Sequence, residues 1–147
     1  MVNRDAMVRQ LRLHEGERLK PYRCTAGRLT IGVGRNLDDR GITPAESAML
    51  LANDISAVET DLLRALPWAA RLDEVRQRVL VDMAFNLGMP GLLEFRRTLA
   101  TIKAGQYHSA AAMMLESKWA GQVGQRARRL SQMMASGQEP AELRAQA

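Results

Sequence analysis

Apolar and polar positions alternate with two different periods along this chain. Met7, Leu11 and Leu13 recur near helical spacing in a segment that should end at His14 or Gly16. The pattern then changes, because residues 16–43 hold Gly16, Gly27, Gly32, Gly34 and Gly41, five of the eleven glycines. Within that window Arg28–Val33 alternates β-branched and small residues after a Thr25-Ala26-Gly27 turn, which predicts a short hairpin. Helical spacing returns at Thr43-Pro44-Ala45-Glu46, a capping box with Thr43 as N-cap, Pro44 at the first helical position and Glu46 reaching back to the N-cap amide. A long helix should run from Pro44 towards Leu66, with Pro67 marking its end. Further helices are predicted over Asp73–Leu87 closed by Gly88, Gly91–Ala104 closed by Gly105, Ser109–Trp119, Gln125–Ser136 closed by Gly137, and a short tail around Ala141–Ala145.

These elements describe an α+β protein that is mainly helical. A β-rich lobe over about residues 15–43 is carried on a helical body formed by the N-terminal helix and residues 44–147, the whole being one domain over 1–147. A cleft between lobe and body is expected, since ligand sites favour such junctions. With 46% hydrophobic residues the chain can fill a core. Aromatic residues are only 4% of it, so Trp119 and Phe85 are expected inside, and the nine methionines are expected to fill gaps around them.

Charge and cysteine content narrow the classes. The single cysteine, Cys24, excludes an intramolecular disulfide. Arg4, Asp5, Arg9 and Arg12 interrupt the apolar residues of the first thirteen positions, so no secretory signal is read there and synthesis in the cytoplasm is expected. No stretch approaches the roughly 20 apolar residues of a membrane span. The net charge of +5 draws the surface towards polyanions, whether nucleic acid, anionic lipid or an acidic cell wall, and does not choose among them. The basic residues are scattered without aromatic interleaving, and no nucleic-acid motif accompanies them. His14 and His108 have no metal-ligand spacing with cysteine or carboxylate, so no metal and no cofactor is expected.

The chemistry concentrates where the first helix gives way to the hairpin, in a run from His14-Glu15-Gly16 through Tyr22 and Cys24 to Thr30-Ile31-Gly32-Val33-Gly34. Here the chain resembles the phage-type lysozymes, glycoside hydrolase family 24. The signature of that family is a Glu, eight residues, an Asp or Cys, five residues and a Thr; Glu15, Cys24 and Thr30 fit it without a gap. Met83–Gly88, Ser117-Lys118-Trp119 and Gln125–Arg129 extend the match, so that it runs from about Leu11 to Arg129. The resemblance implies a lysozyme-like fold and an endolysin that hydrolyses the β-1,4 bond between N-acetylmuramic acid and N-acetylglucosamine in peptidoglycan. It implies a monomer that reaches the wall through a membrane lesion made by another agent, with electrostatic contact to the anionic envelope as a further expectation.

Glycoside hydrolysis needs an acid to protonate the leaving oxygen and a group opposite to activate water or stabilise the sugar cation. The motif assigns the first duty to Glu15. Cys24 occupies the second position, where a thiol with a reference pKa of about 8.5 is mostly neutral at pH 7. Three roles are open to it: a thiolate nucleophile or base if Arg23, Arg28 or the local field lowers its pKa, a polar thiol helping Thr30 to hold water, or a silent buried residue. Thr30 is expected to orient the attacking water. Arg126 matches the family arginine that pairs with the catalytic Glu, Arg35 stands where the family often has His, and Asn86 is open to a role lining the cleft or capping a helix. Two other readings remain: a lytic transglycosylase working with Glu15 alone, and a basic binding module without catalysis.

Overall fold

The computed structural model describes residues 1–144. Asn3 opens the chain's first helix by accepting the Ala6 amide at 2.9 Å, and α1 (Arg4–Glu15) ends at Gly16, whose φ of +73° turns the chain out of the helix. Three short strands follow, β1 (Arg18–Arg23), β2 (Leu29–Gly32) and β3 (Arg35–Asn36). They form one antiparallel sheet in the order β1-β2-β3, with Tyr22 opposite Thr30 and Thr30 opposite Asn36. The β1–β2 register is irregular between Arg18 and Tyr22, where Pro21 has no N–H to give the ladder. The predicted hairpin is present, and β3 is an addition to it.

The capping box forms as predicted. Thr43 Oγ1 accepts the Glu46 amide at 3.1 Å, and Glu46 Oε1 accepts the Thr43 amide at 2.8 Å. The long helix α2 (Pro44–Ala65) follows, and a 3-10 turn over Pro67–Arg71 replaces it after Leu66. The remaining helices are α3 (Glu74–Leu93), α4 (Arg96–Lys103), α5 (Tyr107–Glu116), α6 (Lys118–Val123), α7 (Gln125–Ser136) and α8 (Ala141–Arg144). Of the predicted tail helix, Ala145 lies outside the described residues.

Two helix boundaries differ from the sequence expectation. Gly91 does not begin a helix; Gly88, at φ +77°, interrupts α3, and helical residues resume through Leu93. The next break falls at Phe95, whose non-helical backbone places its ring edge-on to Trp119 at 6.0 Å, so an aromatic contact decides where α4 starts. The expected Ser109–Trp119 helix is likewise divided at Ser117. Its hydroxyl donates to Met114 O at 2.7 Å and accepts the Ala120 amide at 3.2 Å, ending α5 and capping α6 with one side chain.

Two compact units divide the chain within α2, Met1–Leu51 and Ala52–Ala147. The first holds α1, the sheet and the first turns of α2. The second holds the buried core, in which Leu62, Leu80, Met83, Leu92, Ile102, Met114 and Met134 are fully enclosed. Of the nine methionines expected there, Met83, Met114, Met133 and Met134 are buried in this core while Met1 and Met49 are exposed; Trp119 joins the core at 4% exposure. Phe85 does not: it is 45% exposed on α3. The backbone carbonyls that end α7 are satisfied by Arg76 of α3, which donates to Met134 O at 2.7 Å and Ala135 O at 3.0 Å. The same guanidinium pairs with Asp73 at 2.9 Å and covers the Tyr107 ring at 3.7 Å, tying α3, α5 and α7 together.

Candidate active site

Glu15 is the last residue of α1, and it is exposed. Its side chain lies against Gly34, in the turn between β2 and β3. A Cβ at Gly34 would stand 3.1 Å from Glu15 Oε2 and 3.3 Å from its Cδ. A side chain there would make the carboxylate give way by a few tenths of an ångström, and the φ of +69° at Gly34 independently favours glycine. The Gly-Val-Gly run thus has a physical purpose that its spacing alone did not reveal.

Cys24 follows β1 at the turn into β2 and is half-buried with a free thiol. The turn is closed by Cys24 N donating to Arg28 O at 3.0 Å and Gly27 N donating to Cys24 O at 2.8 Å. This tight loop points backbone amides at the sulfur. The Arg28 amide, then the Ala26 amide, pull the thiol pKa below its ordinary value; partial burial opposes them and the Thr30 hydroxyl adds a smaller pull. The cations that the sequence suggested for this task are otherwise engaged: Arg23 pairs with Asp38 at 3.4 Å and Arg28 with Asp39 at 3.6 Å. Backbone dipoles, and not guanidinium charge, therefore tune Cys24.

Thr30 lies in β2 at 3% exposure and donates its hydroxyl proton to Arg28 O at 2.8 Å. The Thr30 hydroxyl thus braces the turn through the Arg28 carbonyl and also lies within reach of the Cys24 sulfur. Cys24, Thr30 and the Arg28 carbonyl form one cluster at the turn end of the β1–β2 hairpin.

Arg35 begins β3, and its guanidinium is taken up within the same unit. It meets both oxygens of Glu46, at 3.0 Å and 2.7 Å, and donates to Gly41 O at 3.1 Å. The Arg35 pair, with help from the Thr43 amide and hydroxyl, lowers the Glu46 pKa to about 2. Sequence reading found Glu46 as a helix cap and missed its pairing with Arg35, since a cross-element ion pair leaves no spacing to read.

In the second unit Arg126 and Asn86 both find partners through α3. Arg126 pairs with Asp82 at 2.7 Å and 2.8 Å, and Asn86 Oδ1 accepts the Trp119 indole N–H at 2.8 Å. Asp82 and Asn86 stand four residues apart, so they share one face of α3. Within this unit the partner of Arg126 is Asp82. Asn86 fixes the buried Trp119 by accepting its indole N–H.

Comparison with known proteins agrees with this arrangement of motif and fold. The family model described as phage lysozyme matches residues 12–133. The chain is 28% identical over 157 aligned residues to a protein of Dictyostelium discoideum named probable T4-type lysozyme 1, covering 86% of this chain and 92% of that protein. It is 30% identical over 113 residues to an endolysin of Acyrthosiphon pisum secondary endosymbiont phage 1, covering 74% and 73% of the two chains. A 26% match covers 90% of this chain but only 28% of the pre-baseplate central spike protein Gp5 of Enterobacteria phage T4. With the family model spanning most of the chain, including the end of α1 and the hairpin that together carry Glu15, Cys24 and Thr30, this protein belongs to the phage lysozyme family, glycoside hydrolases of the lysozyme type that act on peptidoglycan.

Proposed function

We propose that this protein is an endolysin that hydrolyses the β-1,4 bond between N-acetylmuramic acid and N-acetylglucosamine, with Glu15 as the general acid. The observation that carries the assignment is the position of the Glu15 carboxyl group at an exposed helix end, held against Gly34 of the hairpin. From there it gives its proton to the glycosidic oxygen as the bond from the anomeric carbon to that oxygen breaks. Cys24 acts from the β1–β2 turn on the water that adds to the anomeric carbon. Its thiolate, the form that the Arg28 and Ala26 amides favour, accepts the proton that the water sheds, and Thr30 braces the turn beside it through the Arg28 carbonyl. Arg35, Arg126 and Asn86 are the supporting residues of this reading, each with its polar group tied to a protein partner within its own unit.

The net charge of +5 favours encounter with an acidic wall, and the anionic envelope is a second electrostatic partner of this reading. The enzyme works as a monomer and reaches the wall through a membrane lesion opened by another agent.

The test is lysis of permeabilised cells by wild type and Glu15→Gln, with product analysis. Loss of general acid catalysis should lower the rate by a factor of about 10² to 10⁴. A fully active Glu15→Gln variant overturns the assignment. Position 24 holds a thiol where a second carboxylate would stand, and this keeps a lytic transglycosylase as the second reading. New reducing ends support hydrolysis; 1,6-anhydromuramic ends support the transglycosylase.

A further inference from the structure

Capping a helix requires one oxygen of Glu46, yet the carboxylate does more. Its Oε1 accepts the Thr43 amide at 2.8 Å and an Arg35 N–H at 3.0 Å, while Oε2 lies 2.7 Å from the other arm of the guanidinium. The fork is held a third time by the Gly41 carbonyl at 3.1 Å. Two parallel charge-assisted contacts fix a guanidinium in rotation as well as position. What they fix is the first residue of β3, and its neighbour in the chain is Gly34, the backbone against which the Glu15 carboxylate rests.

We propose that Glu46 is a positioning residue for the catalytic acid: through Arg35 it anchors the β2–β3 turn to the first turn of α2, and so sets where Gly34 holds the Glu15 carboxylate. This rests on the reading of Glu15 as the acid. The order of the chain supports it. Gly34 and Arg35 are consecutive, so any slack in the Arg35 side chain passes into the turn, whereas β3, only two residues long, pairs with β2 at Ile31–Arg35 and Thr30–Asn36 and offers little restraint of its own. Arg35, with the Thr43 amide, lowers the Glu46 pKa to about 2, so the pair holds at neutral and mildly acidic pH. The anchor therefore does not open and close over that range; it is a fixed strut.

Thr43 separates this role from simple helix capping. Thr43→Ala removes the other half of the capping box and leaves the Arg35–Glu46 pair in place. Kinetics are measured on soluble, uncross-linked peptidoglycan strands, with Tm followed for every variant. A misplacement of about 1 Å can cost roughly 100-fold, so partial loosening in Arg35→Met or Glu46→Ala should lower kcat about tenfold with KM changed less than about twofold. The double variant should be about as slow as the slower single one, because the two side chains act as a unit. Glu46→Gln, which keeps an acceptor oxygen for both partners, should recover part of the loss and serves in place of Glu46→Ala if that variant does not fold. Thr43→Ala should lose Tm comparably while its kcat stays within about twofold, as expected for a missing cap alone. Equal losses of kcat in Thr43→Ala and Glu46→Ala, additive losses in the double variant, or an unchanged kcat in Arg35→Met would each overturn the proposal. Glu15→Gln run beside them reports on the acid itself, so failure of that assignment is read apart from failure of the strut.

Discussion

Gly34 shows how much a single hydrogen atom decides. With a methyl group at this position the turn and the Glu15 carboxylate would compete for the same space, at 3.1 Å from Oε2, and the backbone would be held at a φ of +69° that L residues avoid. Gly34→Ala should therefore cost about 1 kcal/mol or more in stability from backbone strain, and lower lysis at least tenfold because the acid is pushed from its place. Comparison of Tm with lysis rate checks this, since strain alone would change the first and spare the second. Cys24 is a second case. Amides of Arg28 and Ala26 lower its pKa, so alkylation by iodoacetamide should reach half its maximal rate at a lower pH than for an unstructured cysteine peptide. An unchanged or higher midpoint would remove the thiolate from the mechanism. Glu15, Cys24 and Thr30 could be named from motif spacing; their hydrogen-bond partners could not, because these come from turns and strands closing in three dimensions.

Among the elements, α2 has the most consequential start. Its cap residue Glu46 has a pKa pulled from 4.5 to about 2 by Arg35 and Thr43. A group with a depressed folded-state pKa adds stability above its unfolded pKa and loses it on acidification, so the contribution of Glu46 is complete above about pH 4.5 and fades towards pH 2. Glu46→Gln should be less stable than wild type at pH 7, with the difference narrowing as pH falls through that window; denaturant midpoints measured at several pH values test it. The other helices teach a similar lesson about boundaries. Thr43-Pro44 and Gly137 mark their helix ends in the sequence because capping and positive φ are local properties. Phe95 and Ser117 break helices for reasons seen only on folding: the first packs on Trp119, and the second satisfies two helix ends at once.

For the molecule as a whole, stability is concentrated in Ala52–Ala147, where the buried core lies. Arg76 is its most connected polar residue, with a side chain 14% exposed and bonds to Met134 O, Ala135 O and Asp73 beneath the stacking of Tyr107. Arg76→Ala leaves two carbonyls at the end of α7 without their donor and should destabilise the fold by about 3 kcal/mol, read as a lower denaturant midpoint with lysis unchanged at temperatures where the protein stays folded. A loss under about 0.5 kcal/mol would show that water replaces the guanidinium freely. Family membership sets aside the non-catalytic binding module that composition alone allowed, since net charge bears on partners and not on chemistry.

By itself the sequence determined the helix-rich α+β class, the hairpin, the capped start of α2 and the ordered Glu15, Cys24 and Thr30 positions, because periodicity, capping and turn chemistry are properties of neighbours along the chain. Tertiary structure alone decided that Gly34 supports Glu15, that Glu46 holds Arg35 and that Asp82 holds Arg126. Each of these joins residues far apart in sequence, and an ion pair or a close backbone approach has no period. It exists only once the chain has closed on itself.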